Sequence, residues 1–263
     1  MTKISMVLLF SLSLINIPMF GEVMKIKKEV KNFDSISLMY PGIVHLKQGD
    51  TESLTIEADD AVIKKIDINI NGSTLVVRSN KRWWENFSWF IADSGNEVNF
   101  YITMKDVQKI LASSSNTINI ETPINIENLV IKISGNGTLK SMENIIVNNK
   151  LSIHCSGHME LELKKLVASL LNIDTSGSSD IKILTGNVNK QEIEISGSGK
   201  YIAPELKTKE TDITCRGSGK LEVNATDALK VNISGSGKVI YSGDPKKLEQ
   251  KISGSGTIQR SSK

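Results

Sequence analysis

The stretch Ile193-Glu194-Ile195-Ser196-Gly197-Ser198-Gly199-Lys200-Tyr201 decides the fold, because its central Ser-Gly-x-Gly returns along the second half of the chain. It recurs as Ser134-Gly135-Asn136-Gly137, Ser234-Gly235-Ser236-Gly237 and Ser253-Gly254-Ser255-Gly256, with degenerate copies starting at Ser156, Ser176 and Arg216. The first glycines stand at Gly135, Gly157, Gly177, Gly197, Gly217, Gly235 and Gly254, so successive copies lie 18 to 22 residues apart. Ser114 takes the marker position one step earlier. A fixed period of this length is the signature of a repeat architecture.

Positions counted from the marker show what each repeat is. Leu129, Ile131 and Ile133 precede Gly135; Leu151, Ile153 and Cys155 precede Gly157; Leu229, Val231 and Ile233 precede Gly235. Polar residues such as Lys132, Asp174, Glu194 and Asn232 fall between them. This alternation is that of a strand with one apolar face. Four residues after the marker the apolar signal returns at Leu139, Leu161, Ile181, Tyr201, Leu221, Val239 and Ile258. Each copy therefore reads as strand, Gly/Ser corner, strand and return.

One such coil cannot bury its own apolar face, whereas stacked coils share a continuous core. Glycine at the corner supplies the backbone angles and clearance of a tight bend, and serine bonds the local backbone. The fold class is thus all-β: a parallel β-helix or β-solenoid, its coils about 4.8 Å apart. A propeller repeat of about 40 residues is twice too long. A sandwich would not place one corner motif at regular intervals, and the alternation excludes a helical solenoid.

The two cysteines test this register. Cys155 and Cys215 fall in one inward column, three coils or roughly 14 Å apart, too far for a disulfide. Both are expected to be free, buried thiols.

The first half carries the same theme less regularly. Phe33 to Leu46 reads as strand, Pro41-Gly42 corner and strand; Ser53 to Glu57 alternates; residues after Asp59 suit one helical turn. Asn71-Gly72 is a hairpin signal. Residues 22–80 are read as irregular N-terminal coils that cap one end, 81–96 as an aromatic loop and 97–258 as regular coils of one domain.

Residues 1–21 have a basic start at Lys3, a short apolar run and Pro18 before Gly21, the pattern of a secretory signal peptide. The run is short for a membrane span, and no later stretch is apolar enough for one. The chain is expected to be exported to the periplasm, the outer surface or the medium. Its 263 residues carry 32 Lys and Arg against 29 Asp and Glu, a balance unlike that of a dedicated nucleic-acid binder.

The opening Phe33-Asp34-Ser35-Ile36-Ser37, the Leu75-Val76-Val77 segment after Asn71-Gly72, and the serial Ile-Ser-Gly-Ser-Gly copies together resemble the putative auto-transporter adhesin, head GIN domain family. The resemblance covers residues 30–258 and implies an exported, bacterial β-helix with an adhesin label. It supplies no catalytic or ligand residues. The chain departs from the common Gly-Ser-Gly-Asp corner, having Asp180 once and Lys elsewhere.

Two surfaces stand out as candidate binding sites. Lys200, Lys220 and Lys238 take the third position after their markers and should form a ladder able to hold an acidic glycan or lipopolysaccharide phosphate; a solvated edge that discourages strand pairing would look the same. Trp83, Trp84, Phe87, Trp89 and Phe90 gather in a chain otherwise poor in aromatics, suited to stacking on sugars or anchoring a partner, or else to covering the flank of the stack.

Asp174 should stack on Glu194 and Glu192 on Asp212. Paired carboxylates can do acid–base work on polysaccharides, yet no Arg or His is expected to converge on them. His154 and Cys155 point to opposite faces, so no metal site is expected. The Gly-rich corners do not open helices, so neither a phosphate cradle nor any cofactor is expected.

The favoured function is a non-enzymatic, adhesin-like protein that engages glycans, lipopolysaccharide or another envelope component. The alternatives are a carbohydrate-active enzyme built on Asp174 and Glu194, and a structural envelope protein. A solenoid has open ends, so oligomers are open to it, although the polar residues 259–263 are expected to discourage pairing at the C-terminal end.

Overall fold

A computed structural model describes residues 23–80 and 97–262. The expected signal segment and the aromatic residues Trp83, Trp84, Phe87, Trp89 and Phe90 lie outside the described residues.

The chain is almost entirely strand. The first half contains β1 (Val23–Lys28), β2 (Ser35–Leu38), β3 (Gly42–Gln48), β4 (Ser53–Asp59), the single turn α1 (Asp60–Ile63), β5 (Ile66–Asn71), β6 (Thr74–Ser79), β7 (Asn99–Met104), β8 (Lys109–Ala112), β9 (Asn116–Ile120) and β10 (Ile124–Ile133). The repeats follow as β11 (Asn136–Cys155), β12 (His158–Thr175), β13 (Ser178–Ile195), β14 (Lys200–Cys215) and β15 (Lys220–Ser234). The chain closes with β16 (Lys238–Ser242), β17 (Lys247–Ser253) and β18 (Thr257–Arg260). The architecture is a β-solenoid of about 8 turns.

From β10 to β15 each strand pairs in parallel with the next, one coil on. Columns of like side chains result: Ile131, Ile153, Ile173, Ile193, Ile213 and Val231 stack one above another, all at most 2% exposed. The adjacent column runs Leu129, Leu151, Leu171, Gln191, Thr211 and Leu229. Cys155, Thr175, Ile195 and Cys215 share a third column, and both thiols are free and buried as expected.

Clearance explains the corner glycines. A Cβ on Gly177 would lie 2.0 Å from the carbonyl oxygen of Gly157, and one on Gly197 2.3 Å from that of Gly177. Gly135, Gly157, Gly217, Gly235 and Gly254 meet the carbonyl below them in the same way, at 2.2 to 2.8 Å. A positive φ adds to the requirement only at Gly235 and Gly254. Within this column, backbone stacks on backbone and leaves no room for a side chain.

The N-terminal end differs in order from the expected simple cap. The coil made by β2 and β3 lies between two others: β2 pairs with β6 and β8, and β3 with β7 and β9. Residues 35–48 are thus an interior rung. The end is closed by the antiparallel strands β1 and β4 on one face and β5 on another. The Asn71-Gly72 hairpin forms as expected, with Gly72 at φ +60°, and α1 packs Val62 and Ile63 into the core.

Candidate functional site

Lys200, Lys220 and Lys238 do align in one column, with Asp180 before them and Thr257 after them. Two of the three are ion-paired, and Lys238 has no ion-pair partner among the described residues. Lys200 pairs with Asp180 at 3.6 Å and Lys220 with Glu222 at 2.7 Å. The neighbouring outward column contributes further pairs, Lys140 with Glu160 at 3.5 Å and Lys182 with Glu162 at 3.9 Å. Opposite charges stacked on adjacent rungs make this face a balanced mosaic, and exposed pairs of this kind contribute little stability.

The carboxylates also stack in the expected register, Asp174 on Glu194 and Glu192 on Asp212. The expectation that no Arg or His converges on them is corrected. Arg216 pairs with Glu194, and His154 lies 3.8 Å from Asp174. The reason is geometric: His154 is the register partner of Asp174 one rung away, and Arg216 reaches Glu194 diagonally from two residues beyond its register partner Thr214. Lys190 pairs with Glu192 at 2.5 Å and Lys230 with Asp212 at 3.2 Å. Glu192, Glu194 and Asp212 therefore each have a cation beside them, and Asp174 has an imidazole.

A polar chain near the N-terminal end runs across four strands to Glu121, just past β9, and is likewise closed on itself. His45 Nδ1 meets Glu121 Oε1 at 2.6 Å, and its ring stacks on Tyr101 with centroids 4.7 Å apart. The Tyr101 hydroxyl donates to Glu57 at 2.6 Å, and Lys25 pairs with Glu57 at 3.2 Å. The Tyr101 hydrogen bond holds the Glu57 carboxyl below its ordinary range, while the same contact pushes the Tyr101 phenol up. The Tyr101 ring is stacked by His45 and has the Lys25 ammonium 5.3 Å from its centroid.

The open site is a groove that the sequence did not single out. It has a volume of about 480 Å3 and runs along one corner of the solenoid. Its floor is the backbone of a column whose side chains turn inward: Val147, Ala168, Val188 and Thr208. In a strand, the residues on either side of an inward position point outward, and here they form two walls. One wall is Ile146, Val167, Asn187 and Lys207; the other is Asn148, Ser169, Asn189 and Lys209. A second hollow of about 470 Å3, edged by Asp106, Asn125, Glu127 and Asn128, adjoins it at Asn148.

The walls divide by chemistry. At one end, side chains are spent within the protein: Asn148 Nδ2 donates to Glu127 at 2.9 Å, and Ser169 Oγ to the Asn148 carbonyl at 2.6 Å. At the other end, Asn187, Asn189, Lys207 and Lys209 are exposed. None of these four side chains has a hydrogen-bond or ion-pair partner among the described residues. Two amides on one rung and two ammonium groups on the next thus face the same trough. The signal available in the sequence was the recurrence of Asn, Ser and Lys eight to ten residues before the markers, outside the Ser-Gly motif.

Stacked coils with corner glycines and an outward groove define a repeat scaffold. The chain belongs to the putative auto-transporter adhesin, head GIN domain family, which matches residues 32–245. No curated protein matches the chain. Among solved structures, a putative lipid binding protein from Parabacteroides distasonis has a TM-score of 0.79 at 21% identity, covering 92% of this chain and 97% of that one. A putative adhesin from Parabacteroides merdae has a TM-score of 0.78 at 21% identity with the same coverage. A putative adhesin from P. distasonis has a TM-score of 0.76 at 24% identity, covering 92% and 98%. At these identities the likeness is one of fold. Among the described residues no helix is long and apolar enough to cross a membrane.

Proposed function

We propose that the protein is an exported, non-enzymatic binding protein that holds an extended glycan or a similar envelope polymer in the corner groove. The observation that carries this reading is the set of unspent donors Asn187, Asn189, Lys207 and Lys209 on facing walls. Polar groups placed in a concave site and left without internal partners are what orients a ligand. The groove runs along the solenoid axis, so its donors repeat at the coil spacing and match a ligand that itself repeats. Export rests on the proposed signal peptide at residues 1–21 and on the family's adhesin label.

A screen of the purified protein against glycans and lipopolysaccharide tests this. Lipopolysaccharide belongs in it because one structural relative carries a lipid-binding description. Saturable binding without turnover, weakened in Asn187→Ala/Asn189→Ala and in Lys207→Ser/Lys209→Ser, is the expected result. Binding lost instead in Trp83→Ala/Trp84→Ala would move the site to the aromatic segment. Polysaccharide turnover abolished by Glu194→Gln would replace the reading with an enzymatic one.

A further inference from the structure

The last rung leaves the core uncovered. Leu248 and Ile252 on β17 continue the inward columns of Leu229 and Ile233. Those predecessors are 1% and 2% exposed, whereas Leu248 is 41% and Ile252 44% exposed. Every residue of β17 is exposed, and the strand's one pairing among the described strands is with β15. Arg260 on β18 bonds the Gly243 carbonyl and Asp244.

The backbone groups at this edge are also placed for a partner. The Ser253 carbonyl accepts from Gly235 N–H, just past β15, at 2.9 Å. Successive residues of a strand address opposite edges. Lys247, Glu249, Lys251 and Ser253 therefore bond inward to the stack. The N–H and C=O groups of Leu248, Gln250 and Ile252 point out of it.

The sequence of β17 is complementary to its own reverse. We infer that two copies of this chain join end to end by antiparallel pairing of β17 with β17, about a two-fold axis at Gln250. In that register Leu248 lies opposite the second copy's Ile252, and Gln250 opposite Gln250, all with outward-pointing backbone groups that exchange hydrogen bonds. Glu249 lies opposite the second copy's Lys251, twice over. The Glu249 carboxylate, already 2.8 Å from Lys247, then stands between two ammonium groups.

An axis normal to the sheet keeps inward side chains inward, so Leu248 and Ile252 of both copies continue a single core. Neighbouring registers are worse. A two-fold at Glu249 sets carboxylate against carboxylate, and one at Lys251 sets ammonium against ammonium, both unfavourable across a strand pair. The arrangement is isologous and closes after two copies, which hides both free edges without building a fibre.

Sedimentation velocity of purified protein over a micromolar concentration series tests this. Wild type is expected to dimerise. Glu249→Lys and Lys251→Glu each set like charges opposite one another and are expected to weaken the dimer at least about tenfold. The charge-swapped Glu249→Lys/Lys251→Glu restores opposite pairs and is expected to regain it. Both positions are exposed, and circular dichroism establishes that each variant folds. A wild type that stays monomeric across the series overturns the inference. So does a dimer that both single variants leave intact, or one that the charge-swapped protein fails to recover.

Discussion

The Tyr201 hydroxyl donates to Gln191 Oε1 at 2.9 Å inside a core dominated by Ile, Leu and Val. The Gln191 amide nitrogen in turn donates to Thr211 Oγ1 at 3.0 Å and to Thr208 Oγ1 at 3.3 Å. Thr208 passes the chain to the Asn224 carbonyl at 2.6 Å. All four side chains are at most 3% exposed. Gln191 and Thr211 interrupt a leucine column at two successive rungs, and Tyr201 supplies the donor that makes the interruption tolerable. A buried polar group without its partner is costly, while a satisfied network can be nearly neutral.

Tyr201→Phe removes that donor and strands Gln191 Oε1. Its expected cost is about 1–3 kcal/mol. In the double variant with Gln191→Leu, the tyrosine no longer has an acceptor to serve, so the losses should not add. Denaturation of the two single variants and the double variant, read as a cycle, is expected to show a coupling of about 1 kcal/mol or more.

Gly177→Ala would drive a methyl group into the Gly157 carbonyl oxygen, 2.0 Å away, in a column where neither backbone can yield without moving a whole rung. The expected outcome is a loss beyond about 4 kcal/mol or no soluble protein. Gly49→Ala is the contrast, since its Cβ meets only Thr103 Cγ2 at an ordinary 3.5 Å. That variant should stay within about 0.5 kcal/mol of wild type in the same denaturation assay.

Thr175 sits in the cysteine column between Cys155 and Ile195, fully buried, with a hydroxyl that finds no partner. Thr175→Val keeps the shape and removes the orphan, so thermal melting should show neutral to higher stability, by up to about 1 kcal/mol. The thiols of the same column should react with alkylating reagents only after unfolding. Burial pushes the Cys155 thiol up, and a protonated thiol is a poor nucleophile. An intramolecular Cys155–Cys215 bridge in folded protein would contradict the three-rung separation.

Glu52 fastens the entry to the first coil. Its carboxylate accepts from Asn32 N–H at 3.0 Å and Phe33 N–H at 2.9 Å, where Asn32 holds the left-handed φ of +59°. These backbone donors keep the Glu52 carboxyl below its ordinary 4.5. The folded state therefore gains stability from it above that value, and loses the gain as the pH falls through the lower folded one. Glu52→Gln should lower stability at neutral pH and flatten the acid limb of the stability profile. Chemical denaturation at a series of pH values measures both.

The regular coils were legible because everything that defines them is local. Ile153 or Ile193 is assigned inward by its alternation with polar neighbours, and Gly157 or Gly197 marks a corner by its place after the strand. The Lys200, Lys220 and Lys238 column followed from the same counting. So did Asp180 beneath Lys200; the pairing of Lys220 with Glu222 did not, because Glu222 belongs to the neighbouring column. Arg216 reached Glu194 by a diagonal of the same kind. The groove stayed hidden because its walls are ordinary outward residues, Asn187 and Asn189 among them, made into a site only by the inward bend of the backbone between them.

The sequence by itself determined the coil: its length, its corner, its inward columns and the free state of Cys155 and Cys215. Periodicity along one chain is enough for that, since each repeat carries the same alternation and meets an identical neighbour. Only the tertiary structure decided the order of the rungs where the repeat fails, with the β2–β3 coil set between two later ones. It also decided which charges are spent, which donors remain in the groove, and that β17 ends the stack with Leu248 and Ile252 uncovered. Those properties belong to pairs of rungs and to the ends of the stack, where contacts depend on which segments lie side by side.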